Sequence, residues 1–361
     1  MSNSLLKPLK IGDLTAKIPV VQGGMGVGIS LSGLAGAVAA QGGVGVISTA
    51  QIGYKSESFS KDPIGCNLRA IKDEIDKARR IAGSGIIGVN IMVATKRYEE
   101  YVKAAIAAGV DIIISGAGLP MALPELVGKA RTKIAPIVSS LKSAQIIIKY
   151  WMKKYDRLPD MVVIEGPLAG GHLGFKNEQL THMEELDYDG EIRRIIGHVA
   201  ECASEHGKEI PVVVAGGIYT REDAEHAFTL GASGVQLATR FVTTYECDAS
   251  QAYKQAYIDA TEDDIIIVKS PVGMPARAIS NEFTRRTSEG RIPPRKCFNC
   301  IITCNPAETP YCITQALINA VNGNVKDGLL FCGANACRAR KLEHVKDIMK
   351  EFEVDGEQCE K

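Results

Sequence analysis

Short apolar runs rich in β-branched residues recur along the first two-thirds of the chain, and stretches of helical period separate them. The runs at 19–22, 44–48, 86–92, 111–116, 136–140, 161–165, 211–215 and 234–238 read as strands. Each is nearly unbroken in apolar character, as a strand covered on both faces must be. Between or after them, 32–41, 67–82, 98–108, 143–155, 190–206, 220–230 and 250–261 carry the spacing of amphipathic helices. Ser32, Asn67 and Thr220 stand where N-caps belong, and Thr220 with Asp223 approximates a capping box.

Strands alternating with helices imply βαβ units around a parallel sheet. Eight repeats with short connections fit a closed barrel better than an open doubly wound sheet. The expected fold class is therefore α/β, a (β/α)8 TIM barrel. The run Gly23-Gly24-Met25-Gly26-Val27-Gly28 looks superficially like a dinucleotide fingerprint but lacks the acid that should follow a second strand. That argues against a Rossmann unit. The repeat stops near 262, so the expected domains are a barrel over 1–262 and a helical, Cys-rich extension or lid over 263–361. Within the extension, 265–269 reads as a strand, 270–278 as a turn-rich loop and 342–352 as a charged terminal helix.

Charge removes whole function classes. Lys+Arg and Asp+Glu both number 42, so the formal net charge is zero. Nothing favours a nucleic-acid surface or an anionic membrane. The first residues lack the apolar core of a signal peptide. The stretch 31–47 is broken by Gln41-Gly42-Gly43 and makes a poor membrane span. The expected location is cytoplasmic.

The chemistry collects at the C-terminal ends of the strands, where barrel enzymes carry their active sites. Residues 162–175 read Val-Val-Ile-Glu-Gly-Pro-Leu-Ala-Gly-Gly-His-Leu-Gly-Phe. A buried strand ends at Glu165, and a glycine-rich loop then presents His172, a group able to exchange protons near neutral pH. Two units later, 212–220 is a strand followed by Gly216-Gly217 and a helix start, and 234–240 ends in Ala238-Thr239-Arg240. Loops after strands seven and eight are where barrels commonly bind phosphate. Gly216, Gly217, Ala238 and Thr239 are the expected phosphate ligands. Arg277, in Met-Pro-Ala-Arg, lies on a loop that could meet an anionic substrate. The other histidines, at 182, 198, 206, 226 and 344, sit among charged residues and read as solvated helix faces.

In this order, Gln22-Gly-Gly-Met, Gly88-Val-Asn90, Ile113-Ile-Ser-Gly-Ala-Gly118, the 165–174 loop, Ala215-Gly-Gly and Gln236-Leu-Ala-Thr-Arg resemble the nitronate monooxygenase family across roughly residues 15–285. The resemblance implies an FMN-bearing TIM barrel. It also reaches flavin-dependent enoyl-acyl-carrier-protein reductases and synthase-associated reductases. By that likeness Gly216, Gly217, Ala238 and Thr239 take the FMN phosphate, Gly24 and Met25 border the isoalloxazine, and Asn90 bonds its polar edge. Glu165 and Gly170 line the ribityl side, Gly171 and Gln236 belong to the same cofactor motifs, and His172 faces substrate. One class of the monooxygenases carries a lysine on the strand-five loop, where Ile137, Val138 and Ser139 stand here. Those enzymes often have Gln at the position of Glu165, and Glu-Gly is a common variant among the reductases.

The first expected activity is oxidation of alkyl nitronates with O2, with His172 as catalytic acid or base. As imidazolium it would stabilise a nitronate; as neutral imidazole it would take a proton from a neutral nitroalkane. The alternative is an NAD(P)H-dependent enoyl-acyl-carrier-protein reductase, and the third a non-catalytic flavin-binding protein. A homodimer stays open.

Six of the ten cysteines crowd into 297–337. Cys297-x2-Cys300-x3-Cys304, with Cys312, could complete a tetrahedral zinc or cluster set. One Cys-x2-Cys pair is less than a zinc signature asks, so the expectation is no metal, the thiols packing as small hydrophobes.

Overall fold

The structure, a computed structural model, describes residues 5–354. A hairpin of β1 (Leu9–Ile11) and β2 (Leu14–Ala16) comes first. Then follow β3 (Val20–Gln22), β4 (Val44–Ser48), β5 (Ile86–Met92), β6 (Ile112–Gly116), β7 (Lys133–Val138) and β8 (Val162–Glu165). A two-residue strand, β9 (Gly171–His172), lies outside their sheet. Strands β10 (Val212–Ala215) and β11 (Gly234–Leu237) complete a closed parallel barrel, β11 pairing back onto β3. The fold is the TIM barrel expected from the strand pattern. The eight runs read from sequence are its eight strands, although β7 starts three residues earlier, at Lys133, with Pro136 inside it.

Leu9, Ile11 and Ala16 of the hairpin pack with the inward residues Val21, Val44, Val46, Ile112 and Val213. They close one end of the barrel, leaving the other to ligands. The strand pattern missed this hairpin, whose Gly12-Asp13 turn between short apolar pairs was its only signal. All five residues of β4 are buried. Helix Ser32–Ala40 lies so close on β4 that a Cβ added to Gly45 would stand 1.8 Å from the Ala35 carbonyl.

Two of the three expected caps are corrected. Helix Ser32–Ala40 begins after Leu31, and Ser32 does not cap it. Asp248 does so from across the fold, its carboxylate accepting the amides of Leu31 at 2.8 Å and of Gly33 and Leu34 at 3.1 Å. The next helix starts earlier than expected, at Pro63, capped by Asp62 through the Gly65 amide. Proline favours the first turn, where its missing N–H costs nothing. Asn67 is instead buried, donating to Gln51 at 3.0 Å and to Tyr101 at 2.7 Å. Thr220 does cap helix Arg221–Thr229, in a full box with Asp223.

Beyond the barrel, β12 (Ile265–Lys269) and β13 (Pro275–Ile279) form a hairpin. Half of the stretch expected as loop is thus strand, because β13 gains a second partner in β9. The extension is mixed rather than purely helical, with helices Glu282–Glu289 and Ile313–Val321. The terminal helix is shorter than expected, Val345–Lys350, since Glu343 is held extended beside Thr244. Among the described residues no helix is long and apolar enough to cross a membrane.

Candidate active site

At the C-terminal ends of the barrel strands lies a cavity of about 1750 Å³, its open mouth included. Gly24, Met25, Asn90, Glu165, Gly170, Gly171, His172, Gly216, Gly217, Gln236, Ala238 and Thr239 all line it. The structure brings these twelve residues, all singled out from the sequence, to one cavity.

Each wall has a local cause. The loop after β3 is pinned where the Met25 amide donates to Ser30 at 2.9 Å and Ser48 donates to the Gly26 carbonyl at 2.7 Å. Gln22, just before it, is fully buried and accepts the Val46 amide inside the barrel, so it is a strut. After β10, Gly216 and Gly217 have φ of +92° and +88°, a region that side chains rarely enter. A Cβ on Gly216 would lie 3.0 Å from both the Gly166 carbonyl and the Ala169 amide. The turn therefore presents bare backbone to the cavity.

His172 is held by backbone as well as side chain. Strand β9 pairs His172 with Ala276 and Gly171 with Arg277. Its Nε2 lies 2.7 Å from Ser270 Oγ, and its ring packs edge-on against Phe331 at 5.1 Å. Burial disfavours the charged imidazolium and brings the pKa down to about 4. At neutral pH the ring is uncharged. Glu165 ends β8 nearby, and burial pushes its carboxyl up to about 7. Tyr188 donates to the Glu165 carbonyl at 3.0 Å and fixes the strand end.

Arg277, expected on a loop that could meet substrate, does not line the cavity. It is buried, and its guanidinium donates to the carbonyls of Pro167, at 2.8 Å, and Ala169. Its work is to brace the glycine-rich loop from behind. Arg240 likewise turns away from the cavity, to Glu343 at 3.0 Å and Glu351 at 2.6 Å.

The strand pattern missed what the extension contributes. Gly333 donates its amide to Thr239 Oγ1 at 3.0 Å, and Asn335 donates to the Gly217 carbonyl at 2.6 Å. The segment 331–335 thus roofs the glycine turn. Phe331, Leu317, Leu329, Ile301 and Ile313 make the outer wall apolar. Only Gly333, in a run otherwise read as part of the cysteine segment, hinted at a close approach.

The sequence profile of the nitronate monooxygenase family matches residues 7–355. The chain is 28% identical to a probable nitronate monooxygenase of Staphylococcus saprophyticus over 300 residues, 77% of this chain and 80% of that one. FabK from Thermotoga maritima is similar in structure, with a TM-score of 0.68 at 26% identity over 93% of both chains. The nitroalkane oxidase of Streptomyces ansochromogenes shares the fold, with a TM-score of 0.67 at 21% identity over 93% of this chain and 94% of that one.

Proposed function

Because the chain belongs to the nitronate monooxygenase family, we propose that it is an FMN-dependent oxidoreductase that oxidises alkyl nitronates with O2. The observation that carries this reading is His172, uncharged at neutral pH, fixed by Ser270 and set on a cavity whose outer wall is apolar.

The residues suit FMN. The side-chain-free turn at Gly216 and Gly217, with Ala238 and Thr239 beside it, offers backbone to a phosphate. Gly24, Met25 and Asn90 would hold the ring system, with Glu165, Gly170, Gly171 and Gln236 along the ribityl side. When bound, FMN would supply the redox chemistry, accepting electrons from substrate and passing them to O2.

The chain supplies orientation and a proton acceptor. In the tautomer whose Nε2–H donates to Ser270 Oγ, Nδ1 is the nitrogen that would take the α-proton of a neutral nitroalkane, converting it into the nitronate. An uncharged imidazole suits this role and not that of a standing positive charge for the nitronate. The apolar wall from Ile301 to Phe331 would receive the alkyl group and exclude water from the reacting carbon.

A second reading, an NAD(P)H-dependent enoyl-thioester reductase, draws on the likeness to FabK and on Glu165. Anaerobic reduction separates the two. Bleaching of the visible flavin band by propionate 3-nitronate alone is expected. Rapid bleaching by NADH or NADPH, with none by the nitronate, would replace the first reading with the second.

A further inference from the structure

The segment 291–312 contains neither helix nor strand, yet it is firmly held. Lys96 donates its amide to the Cys300 carbonyl at 3.0 Å, and Ile302 donates to the Ala94 carbonyl at 2.9 Å. Phe298 stacks on Phe59. Ile301, Tyr311 and Ile313 belong to a separate apolar cluster, against which Cys300 and Cys304 pack. An irregular, well-anchored loop that carries four cysteines calls for an explanation other than core packing.

We propose that Cys297, Cys300, Cys304 and Cys312 form the binding site for a four-iron, four-sulfide cluster at the edge of the cofactor cavity. The loop brings them to one place: Cys300 and Cys304 pack against the apolar cluster that holds Tyr311 and Ile313, the two neighbours of Cys312. Their spacing, x2 then x3 then x7, delivers short-range ligands as cluster-binding peptides do.

The backbone turns toward the sulfurs. Asn299 takes the left-handed conformation, φ +51°, and its amide donates to Cys297 Sγ at 3.4 Å. Cys312 is the N-cap residue of helix Ile313–Val321, beside first-turn amides that have no partner within the helix. Such donors favour thiolates and tune clusters. Lys96 donates to Asn299 Oδ1 at 3.3 Å, which sets one positive charge beside the turn between Cys297 and Cys300.

Size chooses the occupant. Four sulfurs around one zinc stand ~3.8 Å apart, given Zn–S bonds of about 2.3 Å at tetrahedral angles. Among the described residues, the one trio of metal-ligating side chains with donor atoms within 4.8 Å of one another is exposed His182, Glu184 and Glu185. No three of these sulfurs converge that closely. A cluster does not ask for that convergence, because each thiolate binds a different iron. Cys300 also lines the cavity, which sets the cluster against the space assigned to the cofactor.

The test is elemental and does not depend on turnover. Full-length protein is purified without air, then incubated with ferrous iron and sulfide and desalted. Iron, acid-labile sulfide, zinc and flavin are counted together. The expected result is about four iron and four sulfide per chain, with a low-temperature EPR signal after reduction by dithionite. Cys304→Ala and Cys312→Ala should each lose the iron, and Cys202→Ala, on a distant helix, should keep it. Reconstituted wild type free of iron would overturn the proposal even if the alanine variants fail to fold. So would stoichiometric zinc in its place, or iron retained in Cys312→Ala. Since the counts are made on the protein itself, a failure of nitronate turnover leaves them standing.

Discussion

Two ionisable side chains of the proposed active site are moved by burial in opposite directions. His172, depressed to about 4, is a proton acceptor throughout the neutral range. Removing it as His172→Asn is expected to leave FMN bound and to lower kcat/KM for a neutral nitroalkane by ~10²–10⁴-fold, the usual worth of a positioned base. Turnover of the preformed nitronate, which has no such proton to lose, should fall far less; equal losses on both substrates would remove His172 as base. Glu165 behaves oppositely, with a folded-state pKa of about 7 against an ordinary value of 4.5. It favours the fold below the ordinary value, and that advantage is lost as pH rises through about 7. Glu165→Gln cannot ionise. It should gain up to ~3 kcal/mol over wild type at about pH 8 and much less at about pH 5, taking about 1.4 kcal/mol per pKa unit. Urea melts at both pH values test this, and a gain independent of pH would count against it.

At the scale of elements, the strands are local and their closures are not. Runs such as Val44–Ser48 form from their own apolar character. The start of helix Ser32–Ala40, in contrast, depends on Asp248, more than two hundred positions away. Its carboxylate satisfies three amides that the helix leaves unpaired. Asp248→Ala should therefore cost about 2 kcal/mol, at the upper end for a lost cap, visible as a lower urea midpoint. An unchanged midpoint would mean that water replaces the carboxylate at no cost. The same contrast holds for β9. Two residues cannot form a strand alone, and Gly171–His172 become one only because β13 is there to pair with them.

For the whole molecule, the extension completes the barrel. Its hairpin fixes His172, Gly333 and Asn335 roof the glycine turn, and its last helix packs on the first barrel helix. Arg240 ties this return path down, buried between Glu343 and Glu351 with Tyr219 accepting a further bond at 3.0 Å. Both carboxylates are partly solvated, so the pair is worth less than a fully buried one. Arg240→Gln should cost about 1–2 kcal/mol and speed proteolysis near residues 343–352. A cleavage rate equal to wild type would show that packing alone holds the tail.

The sequence by itself determined the barrel and the residues around its mouth. Repeated apolar runs have few ways to bury both faces, and barrel strands all point their C-terminal ends one way, so Asn90, Glu165, His172, Gly216 and Thr239 had to meet. What pairs across long stretches of chain was decided only in three dimensions. Asp248 replaced Ser32 as a cap, and Arg277 became a brace for Pro167 and Ala169 rather than a substrate ligand. Ser270 was joined to His172 across 98 positions. These contacts leave no periodic trace, because a hydrogen bond between distant residues depends on where the chain returns, whereas periodicity records only which face a residue turns to the core.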